Sequence, residues 1–112
     1  MSTTLKPLIN AQFGVAAGST LYTAPAAKTT IIDKFTATNT DVAARTLSVS
    51  IVASAGVQSA ANRVVYQKSI AAGVTDDLTE LQNHILATGD SIYVVPEVDS
   101  KIVIRASGRE VS

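Results

Sequence analysis

The chain has 112 residues, nine basic and nine acidic side chains that cancel, and no cysteine. That length suits one domain around one core, while the balanced charge excludes an overall field that would draw the chain to nucleic acid or an anionic membrane. The missing thiols exclude disulfides, cysteine nucleophiles and thiolate metal sites.

Much of the hydrophobic content is alanine, and there are only three tyrosines and two phenylalanines. The core is therefore expected to be thin and built from Val, Ile and Leu. A thin-cored domain of this size gains from burial against partner subunits, so self-association is expected.

Residues 1–13 place Leu5, Leu8, Ile9 and Phe13 among polar side chains, the pattern of an extended N-terminal arm whose apolar groups a neighbouring subunit covers. Deleting the arm should then weaken association more than it disturbs the fold. The start MSTTLKP has no apolar h-region, and no stretch reaches the length of a membrane span. Synthesis in the cytoplasm, or assembly there into a particle, is expected, with no membrane partner.

From Ser19 onward, runs rich in Val, Ile and Thr alternate with Gly, Asn, Asp and Ala breaks about every ten residues, the spacing of an all-β sandwich. Residues 14–112 are read as that single antiparallel domain. Residues 29–38 form a strand around Ile31, Phe35 and Ala37. Residues 45–53 are the cleanest strand, with Leu47, Val49, Ile51 and Ala53 on a buried face and Thr46, Ser48 and Ser50 on a wet one. The loop 54–62 is small and polar.

A strand over 63–70, around Val64, Tyr66 and Ile70, turns at Ala71-Ala72-Gly73 into another over 75–81. Residues 80–87 suit a short strand better than a single helical turn, because Thr88-Gly89-Asp90 punctuates them at once. Ile92 and Val94 share one face of a strand that Pro96 stops. In residues 101–107, Ile102, Ile104 and Ala106 point inward, with Lys101, Arg105 and Ser107 outward.

Reactive chemistry is sparse. His84 has no second His or Cys at ligand spacing and reads as structural. Asp76 and Asp77 point to opposite faces of a strand, so with Glu80 they read as a solvated hairpin end. No Gly-x-Ser-x-Gly elbow, Gly-x-Gly-x-x-Gly turn or Walker sequence occurs. No catalytic, cofactor-binding or metal-ligating residue is assigned, and no enzyme is expected. Lys101, Arg105 and Arg109 are spaced by four and project from one outward face, either as a wet face with cross-strand acidic partners or as a basic stripe that meets an acidic neighbour in an assembly.

The segment TLYTAPAAKTTIIDKFTATNT (20–40), with TLSVSIV (46–52), ATGDSIYV (87–94) and the closing KIVIRASGREV (101–111), resembles small tailed-bacteriophage virion structural proteins of β-sandwich type. The likeness covers residues 19–111 and is greatest to capsid cement or decoration proteins. It implies a jelly-roll-like sandwich that forms homo-oligomers, commonly trimers, and binds the major capsid protein or another virion protein to bridge capsid subunits. Location in the virion follows, with a tail, collar or baseplate component of the same fold as the alternative. From another class stands a carbohydrate-binding surface module, for which Tyr22, Tyr66 and Tyr93 are the available aromatic platforms. Among these readings the candidate assembly contacts are Leu5, Leu8, Ile9, Phe13, Lys101, Arg105 and Arg109.

Overall fold

The computed structural model describes residues 2–112. Nine strands run in chain order as β1 (Thr3–Phe13), β2 (Ser19–Thr23), β3 (Thr29–Asn39), β4 (Arg45–Val52), β5 (Arg63–Ile70), β6 (Thr75–Asp77), β7 (Ile85–Leu86), β8 (Ser91–Pro96) and β9 (Ile102–Val111), with 3₁₀ turns at Ala60–Asn62 and Thr79–Leu81. They build two antiparallel sheets. The first has the order β1-β9-β3-β6, with β7 also paired to β3, and the second has the order β2-β8-β4-β5. The fold is thus all-β, and one core of Ile, Leu and Val with Phe35 lies between the sheets.

Alternation explains the regular strands. Ile92, Val94 and Pro96 of β8 are buried, and so are Ile102, Ile104 and Ala106 of β9, as their period of two predicts. Elsewhere bulges reset the period, and there the sequence expectations need correction. In β3 the register with β9 slips between Ile32 and Lys34. The inward set changes there from Thr30 and Ile32 to Phe35, Ala37 and Asn39, which turns Ile31 outward.

In β5, Gln67 adopts φ +47°, with its N–H held by Ser48 Oγ at 2.8 Å. Val65 and Ile70 consequently enter the core, Val64 packs only at its margin, and Tyr66 faces solvent. The supposedly wet face of β4 is not wet throughout: Ser50 and Val52 are buried. The loop after β4 folds back over them, close enough that a Cβ on Gly56 would sit 3.5 Å from Val52 Cγ1. Residues 80–87 divide, since the helical turn ends at Leu81 and only Ile85 and Leu86 are strand. The strand expected over 75–81 stops at Asp77.

The largest correction concerns residues 1–13, expected as an arm. They form β1, which pairs with β9 from Thr3 opposite Val111 to Phe13 opposite Val103, so the boundary at 13/14 is a turn between two strands of one domain. Register shifts between Pro7 and Ile9 and between Ile9 and Gln12 break the alternation. They let both Leu8 and Ile9 drop into the core, Ile9 at 1% exposure. Apolar residues that look scattered in the sequence are two core residues and two surface ones.

Ser2 and Ser112 exchange both backbone hydrogen bonds. By antiparallel alternation Thr4 and Lys6 also bond to β9, while Thr3, Leu5 and Pro7 turn their backbone groups to the open edge. The proline therefore stands where its missing N–H costs no ladder bond. At the end of β3, the fully buried Asn39 ties the β3–β4 turn to β5. Its Nδ2 donates to the Ala43 and Ile70 carbonyls, both at 2.9 Å, and its Oδ1 accepts the Asp41 N–H at 2.9 Å.

Candidate assembly face

The outer face of the first sheet is laid out by the strand registers. Leu5 of β1 stands opposite Arg109 of β9, Arg109 opposite Ile31 of β3, and Ile31 opposite Ile85 of β7. One row thus carries three aliphatic side chains and one cation across the whole sheet. Leu5 is 78% exposed and Ile85 64% exposed. Val111 and Thr29 occupy the adjacent row.

The cation in this row is neutralised within the chain. Arg109 Nε donates to both Asp33 oxygens at 3.1 Å, and its Nη2 donates to Oδ1 at 2.9 Å, a forked pairing. Asp33 is the extra residue of the β3 bulge, which lies opposite Gly108. A Cβ on Gly108 would collide with the Ile31 carbonyl oxygen, so glycine is what allows β3 to bulge there and present Asp33 to Arg109. Further along the same face, Lys34, Thr36, Arg105 and Ser107 line a shallow depression of about 180 Å³. Lys34 lies 3.9 Å from Asp77. Arg105 has no ion-pair partner among the described residues.

Of the seven residues expected to make assembly contacts, this face gathers Leu5, Arg105 and Arg109. Phe13, half exposed, lies at the other end of β1 opposite Val103. Lys101 is exposed just before β9 begins, beyond the end of the stripe. Leu8 and Ile9 are spent on this chain's own core and are withdrawn as contacts. The acidic hairpin end separates as alternation predicts: Asp76 and Glu80 converge on Lys68 at 3.2 and 3.1 Å, while Asp77 faces Lys34. Among the described residues, no three His, Cys, Asp or Glu side chains are grouped to hold a metal ion.

Directly behind the row lies a polar cluster that sequence reasoning missed. Glu110 points inward, 4% exposed, and accepts the Tyr22 hydroxyl from β2 at 2.6 Å. Because that hydroxyl's one proton goes to the carboxylate, Thr30 Oγ1 donates to Tyr22 Oη, 2.7 Å away. Lys6 Nζ approaches Glu110 Oε2 from the rim at 3.4 Å. The Tyr22 hydrogen bond, with Lys6 beside it, holds the Glu110 carboxyl below its ordinary range despite burial. Burial and the carboxylate push Tyr22 up to about 12. The arrangement is a clamp between sheets. Its signal was present in the sequence, since position 110 continues the inward set 102, 104, 106.

No family model matches the chain, and no curated protein or solved structure is significantly similar to it.

Proposed function

We propose that this chain is a structural protein of a tailed-bacteriophage particle, a capsid cement or decoration subunit that binds its own copies and bridges neighbouring capsid subunits. The observation that carries the reading is the row Leu5–Arg109–Ile31–Ile85. A row of exposed aliphatic side chains around a cation already neutralised by Asp33 can be closed by another protein surface without stranding Arg109. The order of the segments at 20–40, 46–52, 87–94 and 101–111, read above as resembling that of virion proteins, is in keeping with the same reading. So is the strand order. With the two-residue β7 set aside, we read the sheets β1-β9-β3-β6 and β2-β8-β4-β5 as a jelly roll, an architecture used by viral capsid domains and by lectins. Fold alone does not fix function, and a tail, collar or baseplate subunit of this fold would use the same face.

The deciding experiment combines solution mass with immunogold labelling of intact particles, for the native chain and for the double variant Leu5→Asp, Ile85→Asp. Both positions are surface ones, so the variant should keep its unfolding midpoint. Oligomers, trimers above all, with label on the head are expected, and occupancy should fall at least about tenfold in the variant. Label on the tail would move the protein to the alternative location. A monomer absent from particles would overturn the reading.

A further inference from the structure

The outer face of the second sheet carries a separate feature. Thr20 of β2, Tyr93 of β8, Ser50 of β4 and Arg63 of β5 stand in one row across all four strands. Over this row lie two adjoining depressions of about 420 and 240 Å³, which share Gln58 and Tyr93 as lining residues. Together they form a groove between the loop before β2 and the loop after β4, within the size range of ligand sites.

The groove's floor is made by β8 and β4, both central strands whose backbone groups are consumed by ladders on either side. Recognition there must pass through side chains, which disfavours an added peptide strand. The side chains available are amides and hydroxyls of Gln58, Gln67 and Ser91 with two tyrosines, a set suited to stacking on and hydrogen-bonding a pyranose. No carboxylate lines either depression, whereas Arg63 does. Its guanidinium lies 4.7 Å from the centroid of the Tyr66 ring. It has no ion-pair partner among the described residues. A stacked guanidinium is pre-organised and keeps its N–H edge for a planar anion.

The local backbone is also held out of its relaxed form. Gln67, at φ +47°, is fixed by Ser48, and Ala55 in the overhanging loop has φ +62°. Non-glycine residues persist in this region where the surroundings impose it, and bulges of this kind re-aim side chains beside binding sites. On the opposite wall Gly18, at φ +87°, lies so close to Tyr93 that a Cβ would meet its Oη at 2.5 Å, which sets the ring's position.

We infer that this groove binds an acidic oligosaccharide, with Tyr93 as the platform, Gln58 and Gln67 reading hydroxyl groups, and Arg63, braced on the Tyr66 ring, taking a uronate or sialate carboxylate. Of the three tyrosines, Tyr22 plays no part, because it is committed to the inter-sheet clamp. The site is on the opposite sheet from the assembly face and stands whether or not that face docks to a particle.

The test uses the full chain on a microarray of carboxylated and neutral glycans, followed by calorimetry with the tightest binder and with its carboxyl-reduced form. Binding confined to carboxylated glycans is expected, weakened at least about tenfold by Arg63→Gln or by carboxyl reduction. Tyr93→Ala should abolish it, and Gln58→Ala, a substitution in an exposed loop that leaves the fold intact, should weaken it. The side-chain amide resonances of Gln58 and Gln67 should shift on titration. No glycan bound, equal binding of neutral glycans, or affinity indifferent to Arg63→Gln and Gln58→Ala would overturn the inference.

Discussion

Tyr22 and Glu110 join the two sheets by a 2.6 Å hydrogen bond in the interior, and among the described residues Glu110 is the one buried carboxylate in a layer filled mainly with aliphatic side chains. The pair is satisfied on every side: Thr30 donates to the phenol and Lys6 reaches the carboxylate from the rim. Satisfied polar groups of this kind fix how two sheets sit on each other. Left half-paired, they are costly.

Tyr22→Phe should therefore destabilise the fold by about 1–3 kcal/mol, read as a lower urea midpoint at unchanged m value. The pair also sets two pH limits. Glu110 is depressed in the fold, so its stabilisation is present above its unfolded pKa and is lost as pH falls through the folded one. Tyr22 is raised, so its stabilisation is full below 10.0 and is lost as pH climbs towards about 12. Urea midpoints measured up to pH 12 should decline over that alkaline window in the native chain and decline less in Tyr22→Phe.

Gly108→Ala should cost about 3 kcal/mol or more, because the new Cβ meets a backbone carbonyl that cannot rotate away. A stable, well-dispersed NMR spectrum at the native unfolding midpoint would contradict the close approach of β9 to the β3 bulge. Gly73→Ala is the control. Its added Cβ meets nothing within 4 Å, and only the positive φ of +72° opposes it, for about 1 kcal/mol.

Asn39 distinguishes shape from hydrogen bonding. Asn39→Ala removes two donated bonds and one accepted bond at a buried site, for about 2–4 kcal/mol. Asn39→Asp keeps the shape but sets a buried carboxylate against the Ala43 and Ile70 carbonyls. It should be the less stable of the two at neutral pH and should recover as acid protonates it, a crossover that thermal melts at pH 7 and pH 4 would expose.

Deleting residues 1–13 should unfold the domain rather than free it from its neighbours. The deletion removes Leu8 and Ile9 from the core, each worth about 1.5–3 kcal/mol of burial, against a total stability of about 5–15 kcal/mol. It also bares the β9 edge. Circular dichroism and calorimetry should show no cooperative transition, and a truncated chain that melts like the native one would restore the arm.

How much could be read from the sequence depends on where the period of two runs unbroken. Ile92, Val94, Ile102, Ile104 and Ala106 were legible because β8 and β9 keep strict alternation across their whole inward faces. Ile31, Val64, Tyr66 and the pair Leu8–Ile9 were misplaced, because a bulge adds one residue and flips every side chain beyond it. Bulges leave little local trace. Gln67 carries none of the glycine that usually marks a positive φ, and the slip at Asp33 is explained only by Gly108, 75 residues later in the chain. Of the candidate face, Arg105 and Arg109 followed from spacing. The apolar row around them needed the register of four strands.

The position of Pro7 bears on the kind of assembly open to this chain. Sheets grow by adding strands at their edges, and such growth has no natural end, because each added copy offers the edge it has just covered. On the long edge strand β1 the proline withholds the donor that a second backbone partner would need, and the bulges that follow bend the remainder out of line. Copies held together by flat faces instead meet at angles fixed by those faces, so the structure they make can close and stop, as a shell must and a filament does not.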